Sequence, residues 1–429
     1  MANCLPVVND YLTLEQQLPN IGGVSLQKIY TMRKKYLLYV VLSCLTINGF
    51  TQTKSDTSFK PSGKLWGYVF ADFYYKDHSD SFNRGGSNQY TNIEKGRNAF
   101  QIRRAYLGYN YDITSKFSAE LLLAAEDNVT TSTGSTSGDL LSDNKLAFYI
   151  KLANIRWKNI WNGTDLVVGQ VSTPAFPLVI EPTWGYRSIE RTISDIRRTP
   201  SFDLGATLQG KFDPKTANYG YDLMVGNGTG AKPEGDRFKW FYGDIWAKFL
   251  NKKIIVDLYA DNERLNWMSN WHHDRTMVKA FVAYTTPQFT VGVEAFMNTL
   301  YNDNFATKIA GGVDTLTVHA KGLSIFAKAM LVKNKLNAFA RADWYNPDDE
   351  IANNVYKKYA GNTSNYNDPN TKENFITGGL DWTPIKNVHV MPNVWYNQYK
   401  TQSIDNATGA LAKDHDVVYR LTFHFIFGK

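Results

Sequence analysis

The chain has 429 residues, a net charge of +7, 43% hydrophobic and 14% aromatic residues, 31 glycines and 26 tyrosines. It holds no apolar run of about 18 residues, which excludes a bilayer-spanning helix in the mature protein. No basic cluster interleaves with stacking aromatics, which excludes nucleic acid as a partner, whereas the aromatic- and glycine-rich balance suits β-structure with aromatic girdles.

The chain order begins with an oddity. From Met32 the sequence reads MRKKYLLYVVLSCLTINGFTQ. Arg33, Lys34 and Lys35 form a basic region and Tyr36 to Ile47 an apolar one, and small or polar residues follow at Gly49 and Thr51. That is the layout of a secretory signal peptide. Signal peptides open a polypeptide, so Met32 is the expected initiator and residues 1–31 a misassigned upstream segment; an extended basic region is the alternative. The expected division is a signal peptide over 32–51 with cleavage before Gln52, a short periplasmic segment over 52–64, and one barrel domain over 65–429. The only cysteines, Cys4 and Cys44, precede that cleavage point. The mature chain therefore has neither disulfides nor thiolate metal sites.

Period-two alternation bounded by turn residues predicts strands over 65–77, 98–113, 116–127, 145–157, 164–172, 203–213, 217–227, 238–249, 252–262, 276–286, 288–298, 317–332, 335–345, 373–383, 387–399 and 415–428. Long polar segments follow the odd strands: 78–97, 128–144, 173–202, 228–237, 263–275, 299–316, 346–372 and 400–414. Only one to six residues follow the even strands. A soluble sandwich has no reason to put every long loop at one end; an outer-membrane barrel does. The fold class expected is all-β, a transmembrane antiparallel β-barrel of about 16 strands.

Side-chain parity supports a lipid-facing exterior. The last strand reads VVYRLTFHFIF, with Val417, Tyr419, Leu421, Phe423, Phe425 and Phe427 on one face and Arg420, Thr422 and His424 on the other. Elsewhere Leu121 and Leu258 point outward while Glu120, Glu126 and Asp257 point inward. Lys or Arg on the lipid face near mid-bilayer costs about 2–4 kcal/mol. Unpaired ions in a dry core are also costly, so the charged face predicts a wet lumen.

Only about a dozen residues precede strand one, too few for a plug domain. The longest connection, TPAFPLVIEPTWGYRSIERTISDIRRTPSF over 173–202, carries four arginines and follows strand five. A structureless segment of this length is usually functional, and the expectation is an inward fold that narrows the channel. Within it Arg187, with Glu190 or Arg191, is expected to line the pore, and Arg197 and Arg198 to pair with wall carboxylates and pin the loop. On the wall Arg104, Lys248, Lys279, Lys328, Arg341 and Arg420 are expected inward, against Glu120, Glu126, Asp222, Asp244, Asp257, Glu294, Asp343 and Asp381. Of these, Arg104, Glu120, Arg187, Glu190, Arg191, Arg341, Asp343 and Arg420 are the candidate channel-lining set.

No nucleophile–base motif accompanies the seven scattered histidines, so no catalytic site, cofactor or metal is expected. His272-His273 reads as a solvated loop tip. The run Asn346-Pro347-Asp348-Asp349-Glu350 lacks the spaced ligands of a calcium loop and reads as a solvated turn.

Residues FQIRRAYLGYNYDITSKFSAELLL (100–123), LVVGQVSTPAF (166–176), and SIERTISD (188–195) followed by FDLGATLQG (202–210) resemble segments of the phosphate-selective porin O and P family in its Bacteroidetes-like branch. Ala175 departs from the family pattern by separating Pro174 from Phe176, and beyond residue 210 only barrel periodicity is shared. The resemblance implies a homotrimeric sixteen-stranded porin in the Gram-negative outer membrane, exported through a cleaved signal peptide and seated in the lipid bilayer. It implies passive diffusion of small hydrophilic solutes or inorganic anions such as phosphate. The mixed signs on the inward face do not favour a dedicated anion path, and a surface binding or adhesion barrel without transport is the alternative.

Overall fold

The computed structural model describes residues 59–428 apart from 85–88, 92, 127–128, 131–135, 138–146, 266–272, 362–368 and 404–411. The upstream segment, the expected signal peptide and His272 lie outside the described residues.

Sixteen strands build the wall: β1 (Ser62–His78), β2 (Asn98–Asp112), β3 (Phe117–Ala125), β4 (Tyr149–Trp161), β5 (Thr164–Ser172), β6 (Phe202–Lys211), β7 (Tyr219–Gly226), β8 (Trp240–Phe249), β9 (Ile254–Arg264), β10 (Asp274–Thr285), β11 (Phe289–Lys308), β12 (Val313–Val332), β13 (Leu336–Asn346), β14 (Thr371–Ile385), β15 (Val388–Thr401) and β16 (Lys413–Phe427). Each pairs antiparallel with the next. β16 returns to β1, from Gly67 opposite Phe427 to His78 opposite Val417. This is a closed antiparallel barrel, which leaves no bare strand edge in its wall. All sixteen predicted strands occur. The first begins at Ser62, three residues before the expected barrel boundary.

Alternating burial separates the two faces. On β9 and β10 Asp257, Tyr259, Lys279 and Phe281 are buried, while Leu258 is 56% and Val278 52% exposed. The exposed apolar row continues round the wall through Leu121, Leu223, Ile245, Ile376, Tyr419 and Phe425.

Two connections depart from expectation. The segment 299–316, expected as a loop, is a hairpin extension of β11 and β12 that turns at 309–312, where Gly311 (φ 96°) and Gly312 (φ 89°) take left-handed backbone. Its polar composition hid the strands, although Ala306 and Val318 are buried in the alternating pattern. A short strand, Tyr356–Gly361, pairs with this extension.

The segment after β5, expected without structure, forms helices α1 (Ile180–Trp184) and α2 (Ile193–Arg197). Gly185 ends α1 at φ 74°, and the Thr192 side chain caps α2 by accepting from the Asp195 amide at 3.4 Å. Phe176, Ile180, Trp184, Ile189 and Ile193 are fully buried and join one apolar cluster with the wall residues Tyr242, Met277, Phe281, Phe296, Phe326, Phe339 and Met391. The Trp184 ring lies tilted 5.1 Å from Phe326, and the Tyr186 ring tilted 4.5 Å from Phe339. Each large apolar side chain buried this way contributes about 1.5–3 kcal/mol. The helical segment thus packs apolar side chains of its own against buried wall residues.

Candidate functional site: the inward face and the helical segment

A bulge sets the charge arrangement near β1. In the β1–β2 ladder Phe70 opposes Arg104 and Ala71 opposes Ile102, so Arg103 is the extra residue. A bulge re-aims side chains, and here both Arg103 and Arg104 are buried. Arg103 donates to Asp72 at 2.7 Å and to the Ser188 carbonyl. Sequence alternation placed only Arg104 inward and missed Arg103. The signal was present: strict parity would have turned one of two consecutive arginines toward lipid.

Arg104 lies 3.8 Å from Glu126, which also takes Lys151 and the hydroxyls of Tyr106 and Tyr149. Glu120 accepts from Asn154 at 3.3 Å, away from the helical segment. Arg187 is mostly buried and is held by Glu181 and, at 2.8 Å, by Asp195, with Glu126 at 3.8 Å. Glu190 is buried, accepts from the Trp395 indole at 3.0 Å, and has Arg191 at 4.0 Å. Arg341 forks onto Asp343 and also donates to the Arg191 carbonyl. Arg420 donates to Asn393 at 2.8 Å and to the Ile189 carbonyl at 3.0 Å.

The segment 173–201 is thus bonded to β2, β13 and β16 by Arg103, Arg341 and Arg420. Three further ties reach other strands. Arg197 pairs with Glu373 of β14 at 2.9 Å. Arg198 binds Asp261 and, at 3.2 Å, Glu263 of β9. Lys328 of β12 donates to the Trp184 carbonyl at 3.3 Å. Charge-assisted bonds of this kind are roughly twice as strong as neutral ones.

On the β7–β11 wall Asp222, Asp244, Asp257 and Glu294 surround Lys279, all buried. Both Asp257 oxygens lack a hydrogen-bond partner among the described residues. At the short-turn end lies a cavity of about 720 Å³ lined by Arg156, Lys158, Lys211, Lys248 and Lys328, against Asp165 and Asp222. Arg156 pairs with Asp165 and Lys158 with Asp112. Lys248 sits 5.2 Å over the Trp246 ring. Sequence reasoning put Lys248 and Lys328 inward but did not single out this end, where strand-terminal cations converge.

Two expectations outside the lumen are corrected. His273 is buried and pairs with Asp303, which also takes Arg275 at 2.9 Å, so it is not a solvated tip. Asp348 is buried too, accepting from the Glu350 amide at 3.0 Å and from Asn304 at 3.3 Å.

No protein-family profile and no curated protein matches the chain. Solved structures do. The outer-membrane channel DcaP of Acinetobacter baumannii matches with a TM-score of 0.54 at 12% identity, over 86% of this chain and 97% of that one. The anion-selective porin from Comamonas acidovorans matches with 0.53 at 10%, over 86% and 100%. OmpT of Vibrio cholerae, an outer-membrane protein, matches with 0.52 at 11%, over 86% and 99%. The barrel has the fold of these outer-membrane proteins. Among the described residues no helix is long and apolar enough to cross a membrane.

Proposed function

We propose that the chain is an outer-membrane porin of the phosphate-selective O and P type, a passive channel for small hydrophilic solutes or ions, exported through the 32–51 signal peptide. The observation that carries this reading is a closed sixteen-strand barrel with an apolar outer belt and a charged inner face, the layout of a protein that surrounds an aqueous path in lipid. In this reading the segment 173–201 folds into the lumen and forms the constriction; its ties to β2, β9, β12, β13, β14 and β16 support that placement. Arg104, Glu120, Arg187, Glu190, Arg191, Arg341, Asp343 and Arg420 line the path or hold the constriction. Small anions such as phosphate are the preferred solutes, supported by the cavity where Lys211, Lys248 and Lys328 gather. Low-dielectric walls focus such a field on passing ions. A homotrimer is the proposed assembly, with the trimer form of V. cholerae OmpT as a structural parallel at a TM-score of 0.50.

Single-channel recording of the purified protein in planar bilayers under a salt gradient tests it. Discrete conductance steps with a reversal potential of anion preference are expected, moving toward cation preference in Lys211→Gln/Lys248→Gln/Lys328→Gln. Absence of conductance in correctly assembled protein would overturn the channel and leave the binding or adhesion barrel. An unchanged reversal potential in the triple variant would remove the anion path alone.

A further inference from the structure

The seam where the barrel closes carries a cluster that the channel does not use. His78 ends β1, and Asp414 and His415 open β16. His78 Nε2 lies 2.9 Å from Asp414 Oδ1, and His415 Nδ1 lies 3.6 Å from the same oxygen. The two imidazoles are nearly parallel, with centroids 4.1 Å apart. The ligand-bearing atoms of the three residues lie within 4.8 Å of one another. Two imidazole nitrogens thus converge on one carboxylate oxygen.

The backbone is built for this convergence. Strand pairing shifts register between Lys76, opposite Val418, and His78, opposite Val417. Lys76 points inward to Asp416 at 2.6 Å. Without the bulge His78 would share that inward face; with it, His78 joins the face of Val417 and His415. Bulges of this kind re-aim a side chain at a functional position. The carboxylate is fixed by backbone and side chain: the Ser81 amide (2.9 Å) and hydroxyl (2.7 Å) both donate to Asp414 Oδ2, while Oδ1, which accepts the His415 amide at 2.8 Å, faces the two imidazoles. The Tyr396 ring lies 5.4 Å from the His415 ring. The three side chains are half-buried, so an ion can reach them and keep a water ligand.

We propose that His78, Asp414 and His415 form a binding site for a divalent transition-metal ion of the zinc type, clipping the first strand to the last. Two imidazoles and one carboxylate are a donor set that such ions favour, with an open fourth position for water. Calcium and magnesium, which take all-oxygen shells, are not expected there. Binding requires each imidazole to present an unprotonated ring nitrogen to the ion, with its N–H on the other nitrogen. The hydrogen bonds from Ser81 act as the outer support that orients the ligating carboxylate.

The test uses untagged, detergent-purified protein stripped with a chelator and titrated with zinc against a chromogenic chelator. One equivalent per chain is expected. His78→Gln and His415→Gln should each weaken uptake at least about tenfold, and Ser81→Ala should weaken it by about tenfold with all three ligands in place. The inner-face His389→Gln serves as a control and should bind as wild type. X-ray absorption on the zinc-loaded wild type should show two imidazole ligands at about 2.0–2.1 Å, a readout that stands even if a variant fails to assemble. No saturable zinc uptake, uptake unchanged in His78→Gln/His415→Gln, or a zinc shell without imidazole would each overturn the proposal.

Discussion

Replacing Arg198 by methionine tests how the helical segment is held. Arg198 is buried, 4.9 Å over the Trp240 ring, and binds Asp261, Glu263 and Asn298. Removing one partner of a buried ion pair costs about 3–5 kcal/mol, because the remaining charge stays desolvated. Here the low end applies. Asp261 keeps the Tyr259 hydroxyl at 2.7 Å and the Met277 amide at 2.9 Å, and Glu263 keeps Arg275 at 3.7 Å. Methionine also retains an apolar stem against Trp240. A loss of about 3 kcal/mol corresponds to roughly a hundredfold rise in the undocked population of the segment. Amide hydrogen exchange should then speed up by that factor over 193–201 and stay unchanged in β6 to β10. Channel recordings should show larger or noisier openings. Arg198→Met/Asp261→Asn/Glu263→Gln removes the orphaned charges and should restore protection. Wild-type exchange in Arg198→Met would refute both the anchoring role and the magnitude.

Two further outcomes are expected. Asp348, outside the barrel wall, is raised to about 6, chiefly by burial, with Asp349 and Glu350 adding to it. A carboxyl raised in the folded state favours the packed loop while protonated, so that packing weakens as pH climbs from about 4 to about 6, by at most about 3 kcal/mol. Exchange over 347–359, corrected for intrinsic rate, should therefore be slower at pH 4 than at pH 7, and Asp348→Asn should abolish the difference; a pH-independent wild type would contradict it. Gly169 takes φ +125°, and an added Cβ would fall 2.3 Å from the Ala153 carbonyl oxygen. Gly169→Ala should sharply lower the yield of heat-modifiable barrel, while Gly235→Ala, with nothing within 4 Å, should not; equal yields would show that β5 relaxes freely.

The wall was readable because one constraint repeats in every strand: one side chain to lipid, the next away from it. Leu121, Leu258 and Tyr419 were placed correctly from parity alone. What parity could not reach was any place where the period breaks. The Arg103 bulge adds one residue to β2 and changes the face of everything before it, and the Lys76–His78 shift does the same at the end of β1. The 299–316 extension was hidden by a break of the same kind: pairing shifts register between Leu300 and Asn304, so the run Asn302-Asp303-Asn304 read as a loop although Phe305 and Val313 continue an exposed apolar row. The helices α1 and α2 were missed because five-residue helices carry too little periodicity to detect.

The packing of the interior bears on which residues can govern conduction. A charged inner face seemed to require water along its whole length, because a buried ion without a partner is costly. The structure meets that cost in two ways. Near the helical segment charges are paired within the wall or with the segment itself: Arg103 with Asp72, Arg341 with Asp343, Arg197 with Glu373, Arg198 with Asp261. Between those pairs the segment inserts Trp184, Ile189 and Ile193 against wall aromatics. Arg187 lies between Glu181 and Asp195, and Arg191 lies 3.8 Å from Asp195, so two cations and two carboxylates balance and the cluster projects little net field. In the proposed channel, selectivity falls to cations that make no ion pair among the described residues, and Lys211, Lys248 and Lys328 at the short-turn cavity fit that better than the paired arginines. Neutralising those lysines should move the reversal potential further than neutralising Arg187 and Arg191 together. The opposite ranking would mean that the segment's arginines face open solution.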